Sequence, residues 1–198
     1  MRGRAIELGL SLDTAQVDRL LAYRRWLGSE GIAGGAVGPN EGEEILGRHV
    51  LEGLGFVAGF EAEPWELLDV GSGGGIPGIP LAIVWPGCRV TLLDRSGRKV
   101  ALLRRAVRVA GIENVEVQEG EAERCEAGRQ AVVMRAVFPP GLAVSVLDRL
   151  LAAEGTGVAA VASDAAVPPA PPGRRLQVRA SDSEILARRL HLLIMAPL

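Results

Sequence analysis

The chain predicts an α/β protein, a mostly parallel sheet with helices on both faces, preceded by a helical appendage. Three observations carry this. From Glu66 onward, short apolar runs of strand type alternate with segments of helical spacing, the pattern of a doubly wound sheet. The first run, Glu66-Leu67-Leu68-Asp69-Val70, opens straight into Gly71-Ser72-Gly73-Gly74-Gly75 and then Ile76-Pro77-Gly78, where a helix can begin. Upstream, two segments keep helical periodicity. The division expected is an appendage over 1–62 and the sheet domain over 63–198.

In chain order, Ser11 to Leu27 reads as a helix, with Ser11 as N-cap, Asp13 in the first turn, apolar residues at 17, 20, 21 and 27, and Gly28 as the stop. A glycine-rich joint follows over 31–38. A second helix is expected with Asn40 as cap, Glu41, Glu43 and Glu44 in its first turn, and Gly55 at its end. Strands are expected near 66–70, 88–93, 115–118, 131–135 and 157–162. Helices are expected near 78–85, 97–110 and 141–153, with a short one near 121–127. Gly111 supplies the stop after the amphipathic stretch Arg98–Ala110. Pro168 to Gly173 is a turn, and Arg174–Ala180 with Arg188–Met195 form a closing pair of strands.

The glycine loop is where chemistry belongs. Glycine lets backbone reach a ligand without an intervening side chain and tolerates positive φ, and the helix behind it aims free N–H groups at the loop. Gly73-Gly74-Gly75-Ile76-Pro77-Gly78 satisfies G-x-G-x-x-G, but 26 glycines in 198 residues make such matches cheap. The better frame is Asp69-x-Gly71-x-Gly73-x-Gly75. Asp94 ends the next strand-like run, placed to accept from ribose hydroxyls; it could equally cap the turn Asp94-Arg95-Ser96-Gly97. This spacing suits either NAD or S-adenosylmethionine. Arg135 closes the buried run Val132-Val133-Met134 at the carboxyl edge, where open α/β sheets hold ligands.

Composition narrows the setting. Net charge is -2, so any nucleic-acid footprint must be a local patch. Of 22 basic residues only Lys99 is lysine. Arg24, Arg25 and Arg48 on the appendage, and Arg95, Arg98 and Lys99 beside the pocket, are the candidates for phosphate contacts; ordinary solvated helix faces are the alternative. Cys88 and Cys125 are too few for a disulfide scaffold. No Cys/His cluster has metal-ligand spacing. The N-terminus lacks a secretory apolar core and no run suits a membrane span, so a cytoplasmic protein is expected.

The block Leu68-Asp69-Val70-Gly71-Ser72-Gly73-Gly74-Gly75-Ile76-Pro77-Gly78-Ile79-Pro80-Leu81, followed by Leu92-Leu93-Asp94-Arg95 and Arg98-Lys99-Val100, closely resembles the RsmG family. This family, also called glucose-inhibited division protein B, comprises bacterial 16S rRNA guanine-N7 methyltransferases. The resemblance implies a Rossmann-like class I S-adenosylmethionine-dependent methyltransferase fold with a seven-stranded sheet. It implies S-adenosylmethionine held by Asp69, Gly71, Gly73, Gly75, Ile76 and Asp94, with Ala122 and Glu123 at the adenine and Arg135 touching cofactor and target base. Arg48-His49, followed by Glu52, resembles the family's Arg-His…Asp helix on the substrate side, whereas His191 is read as packing. No side chain is expected to act as a catalytic base, and no metal is expected. The partner implied is 16S rRNA or the small ribosomal subunit, with neither DNA nor a membrane involved; the residues do not give the oligomeric state, and a monomer is favoured.

Three segments depart from the family pattern. Gly34-Gly35-Ala36-Val37 replaces Asn-Leu-Thr, Val161-Ala162-Ser163-Asp164 replaces a lysine-glycine, and Gln130-Ala131 replaces an acid. Two rivals follow: a homologue that binds cofactor without methylating rRNA or that serves another substrate, and an NAD-dependent enzyme.

Overall fold

The computed structural model describes residues 2–40, 42, 49–180 and 190–198. Seven strands form one sheet in the order β3-β2-β1-β4-β5-β7-β6. They are β1 (Glu66–Val70), β2 (Arg89–Asp94), β3 (Val115–Glu119), β4 (Arg129–Arg135), β5 (Leu151–Val161), β6 (Arg174–Ala180) and β7 (His191–Pro197). The first five run parallel, and β7 lies antiparallel between β5 and β6. Chain order reverses between β1 and β4, which places a crevice at the carboxyl ends of those two strands.

Alternation along the strands builds two apolar layers. Leu67, Leu92, Val133 and Val158 face α2 (Thr14–Trp26), α5 (Gly78–Val84) and α6 (Gly97–Ala110). Leu68, Leu93, Val132 and Met134 face α7 (Pro140–Leu150), the helix that covers the other side among the described residues. The N-terminal segment, which opens with α1 (Arg2–Glu7), is built into the first layer: Leu20, Tyr23, Trp26 and Leu27 are buried in the same cluster as the strand residues.

Several boundaries differ from expectation. The cap of α2 is Asp13 rather than Ser11: its Oδ1 accepts from Gln16 N at 2.7 Å while Gln16 Oε1 accepts from Asp13 N at 3.0 Å, a reciprocal capping box. Gly28 does not end the helix. The chain continues through a π turn (Leu27–Gly31) into α3 (Ile32–Gly34) and stops at Gly35, where φ is +74°. Burial of Leu27 and Gly31 outweighs the ~1 kcal/mol that a helical glycine costs. Glu41, Glu43 and Glu44 lie outside the described residues, and so does Arg48; α4 (Leu51–Gly55) closes where expected.

Residues 151–153, expected to be helical, begin β5 instead. The buried Arg174 on β6 explains this. Its guanidinium donates to Ala153 O at 2.7 Å and Ala152 O at 2.8 Å, fixing an extended path that no local signal announces. The expected helix near 121–127 is only a 3-10 turn over Ala122–Arg124.

Candidate active site

The glycine loop leaves β1 and folds back under its own hydrogen bonds. Gly75 N donates to Ser72 O at 2.7 Å, and Ser72 N to Leu93 O at 2.9 Å. Asp69 sits beneath the loop, fully buried, with Oδ2 accepting from Gly78 N at 2.9 Å at the start of α5. Burial pushes its carboxyl up to about 7, opposed by the hydrogen bond from Gly78 and by the Arg135 charge. Asp69 therefore shapes the loop from below and is not part of the cavity lining.

Above the loop lies a cavity of about 590 Å³. Gly73 (φ +58°) faces it: a Cβ there would meet nothing closer than Gly71 O at 3.8 Å and Lys99 Nζ at 3.9 Å. At Gly71 (φ +67°) a Cβ would instead strike Val137 Cγ2 at 2.7 Å, so this glycine admits the chain after β4. Asp94 ends β2 at the cavity wall, 5% exposed, with Oδ2 accepting from Gly73 N at 2.9 Å and Oδ1 from Ser96 N at 3.0 Å. Each oxygen keeps a second lone pair for an incoming hydroxyl donor. It caps the turn, one of the two roles expected of it, while standing in the cavity wall.

Ile76, Ala122, Glu123 and Arg135 also line this cavity, as do Gly71 and Gly73, whereas Gly75 packs on Ile79 outside it. The Ala122 turn is held by Arg149 of α7, which donates to Ala122 O, and to Cys125 O at 3.0 Å. Tyr23 OH donates to Gly74 O at 2.7 Å. Arg149 and Tyr23 have no motif, because only the folded chain brings α7 and α2 to the site. Lys99 and Arg95 line the cavity itself rather than standing beside it.

A second cavity of about 1030 Å³ adjoins the first. Arg135, Ala136 and Phe138 line both and form their common wall. Ala136 has φ +54°, a conformation that a residue with a side chain adopts at some cost and that often marks functional positions. Glu52 and His191 face only the second cavity, and Arg135 Nη1 lies 3.3 Å from Glu52 Oε2. His191, read as packing from the sequence, belongs here; His49 is buried and lines neither cavity. Of the three departures, the one over 161–164 borders the second cavity through Val161, Ala162 and Ser163, and the one over 34–37 borders the first through Ala36.

The cavity fits a nucleoside-type cofactor. It offers an acidic acceptor, a backbone floor bare of side chains and a wall at Ala122 and Glu123. Among the described residues no three His, Cys, Asp or Glu side chains come together as a metal site.

The strand order, with a glycine loop after β1 and an acid ending β2, defines the Rossmann-like class I methyltransferase fold. Solved structures share it: TrmN from Thermus thermophilus (TM-score 0.57, 18% identity, 75% of this chain and 49% of that one) and a methyltransferase from Geobacter sulfurreducens (TM-score 0.54, 18% identity, 75% and 76%). At these identities the likeness is one of fold. The chain belongs to the GidB family, rRNA small subunit methyltransferase G, whose model matches residues 16–165. It is 38% identical over 130 residues to Ribosomal RNA small subunit methyltransferase G of Marinobacter nauticus, covering 64% of this chain and 58% of that protein. The Pseudomonas paraeruginosa protein of the same name is 39% identical over 135 residues, covering 67% and 62%. The match thus spans about three fifths of the length of these relatives.

Proposed function

We propose that this protein is a cytoplasmic S-adenosylmethionine-dependent methyltransferase acting on N7 of a guanine in bacterial 16S rRNA, as a free strand or within the small subunit. The observation that carries the reading is the common wall of Arg135, Ala136 and Phe138 between two cavities. A group transferred between two bound molecules needs two sites that meet at one place, here the carboxyl edge of β4. Family membership favours S-adenosylmethionine over NAD in the first cavity, and favours rRNA over another substrate in the second.

Asp94 would accept from the ribose hydroxyls, Gly71, Gly73 and Ile76 would floor the methionine half, and Ala122 and Glu123 would flank the adenine. When bound, S-adenosylmethionine supplies a methyl group whose transfer to N7 moves one positive charge from sulfur to the purine. Guanine N7 carries its own lone pair, so no side chain has to take a proton. The protein's work is orientation, which in favourable systems supplies ~7–11 kcal/mol. Arg135 at the common wall holds the base, and Arg95 and Lys99, in the lining of the first cavity, attract phosphate.

The test is transfer of labelled methyl from S-adenosylmethionine to 16S rRNA lacking the modification, free and in small subunits, followed by digestion. One labelled 7-methylguanosine is expected. Tight S-adenosylhomocysteine binding with no transfer to either RNA form would overturn the substrate and leave the cofactor.

A further inference from the structure

The second cavity contains a paired donor and acceptor in a definite order. Arg135 lines both cavities, whereas Glu52, its partner at 3.3 Å, lines only the second. The pair is shielded: side-chain exposure is 23% for Arg135 and 6% for Glu52. Neither residue is needed as a base, because N7 already carries its own lone pair.

Guanine carries the matching order of groups. Moving round the ring from N7, the next polar atom is the O6 acceptor, then the N1–H donor, then the N2 amine. With N7 turned toward the first cavity, O6 falls at the common wall and N1–H and N2 fall deeper in the second. We propose that the Arg135–Glu52 pair reads the target base, with the guanidinium donating to O6 and the Glu52 carboxylate accepting from the N1–H and N2 donors. This rests on the guanine-N7 reading above and adds the residue that selects the base.

Three consequences of chemistry support it. Adenine presents an amine in place of O6 and an unprotonated N1 in place of N1–H, so donor would meet Arg135 donor and acceptor would meet carboxylate. Specificity of that kind comes from unpaired buried polar groups as much as from attraction. The planar guanidinium has five N–H donors, enough to serve Glu52 and O6 together. The purine also gains positive charge as N7 is alkylated, which strengthens its N1–H and N2 donors. A carboxylate fixed there binds the transition state better than the substrate, so its loss lowers kcat as well as raising KM.

The experiment uses the full chain and reconstituted small subunits whose 16S rRNA carries guanine or inosine at the mapped target position. Inosine keeps O6, N1–H and N7 and lacks only the N2 amine. Methyl transfer rate and subunit affinity in the presence of S-adenosylhomocysteine are both measured. The unaltered protein is expected to lose about tenfold on inosine in both readouts. Glu52→Gln, which offers one acceptor and one donor, should be slowed on guanine and should no longer prefer it. Glu52→Asp should keep the preference at a lower rate.

Equal losses on both bases in Glu52→Gln, with the original preference intact, would reduce Glu52 to a support for Arg135 and overturn the inference. Indifference of the unaltered protein to inosine would overturn it without any variant, should Glu52→Gln fail to fold. Absence of 7-methylguanosine from the unaltered protein on guanine subunits overturns the reaction itself, and the base reader falls with it.

Discussion

The phenol of Tyr23 on α2 donates a 2.7 Å hydrogen bond to the carbonyl of Gly74, in the middle of the glycine loop. Tyr23 is fully buried, and that burial holds its hydroxyl protonated well above the usual tyrosine range, so it remains a donor at any working pH. An N-terminal helix thereby holds the glycine loop that floors the first cavity. Tyr23→Phe leaves a buried carbonyl without its donor and should cost about 1–2 kcal/mol of stability. Affinity for S-adenosylhomocysteine should fall severalfold, read by calorimetric titration beside urea unfolding.

Asp69 gives the fold a pH signature. Its carboxyl is pushed up to about 7 by burial, whereas in the unfolded chain it ionises near ~4. Between those values the folded state keeps a proton that the unfolded state has released. The contribution of this group to stability is therefore complete at the acid end and falls as pH rises from ~4 to ~7. Asp69→Asn removes that slope. The difference in unfolding free energy, variant minus parent, should grow by a few kcal/mol from pH ~4 to ~8. A constant difference across that range would place the ionisation of Asp69 elsewhere.

Asp94 accepts from Gly73 N and Ser96 N at once, so Asp94→Asn must aim its amide N–H₂ at one of those donors. S-adenosylhomocysteine binding should weaken by about tenfold to a hundredfold. Methyl transfer should fall at least in proportion.

Arg174 acts far from either cavity. Its Nη1 and Nη2 serve Ala152 O, Ala153 O and, at 3.2 Å, Gly155 O, and its Nε lies 3.6 Å from Asp148. Arg174→Met should destabilise the protein by about 2–4 kcal/mol in urea unfolding while cofactor affinity stays unchanged.

What the sequence disclosed and what it hid divide on physical lines. The ends of β1 and of α6, with Gly111 at φ +63°, were legible because local pattern and tertiary packing agree there. So was the convergence of Gly73 and Asp94, since a strand-loop-helix unit fixes both through short-range geometry. The start of β5 was illegible because its cause, Arg174, lies some twenty residues downstream. Tyr23 and Arg149 escaped notice for the same reason: each braces a lining residue of the first cavity, Gly74 or Ala122, from a helix distant in the chain. His191 looked like core within Leu190-His191-Leu192-Leu193, yet the antiparallel β7 begins with it at the rim of the second cavity. Gly28 misled because intrinsic propensity is a weak term once Trp26 and Leu27 are buried.

The two cavities draw on different lengths of chain. Every residue lining the first lies between Ala36 and Phe138, whereas the second also takes Leu190 and His191 from the start of the last strand. During synthesis, the parts that would grip the methyl donor leave the ribosome well before the parts that would enclose the acceptor. Damage to the final strand, by proteolysis or a frameshift, would take Leu190 and His191 from the second cavity while leaving every lining residue of the first encoded in the chain.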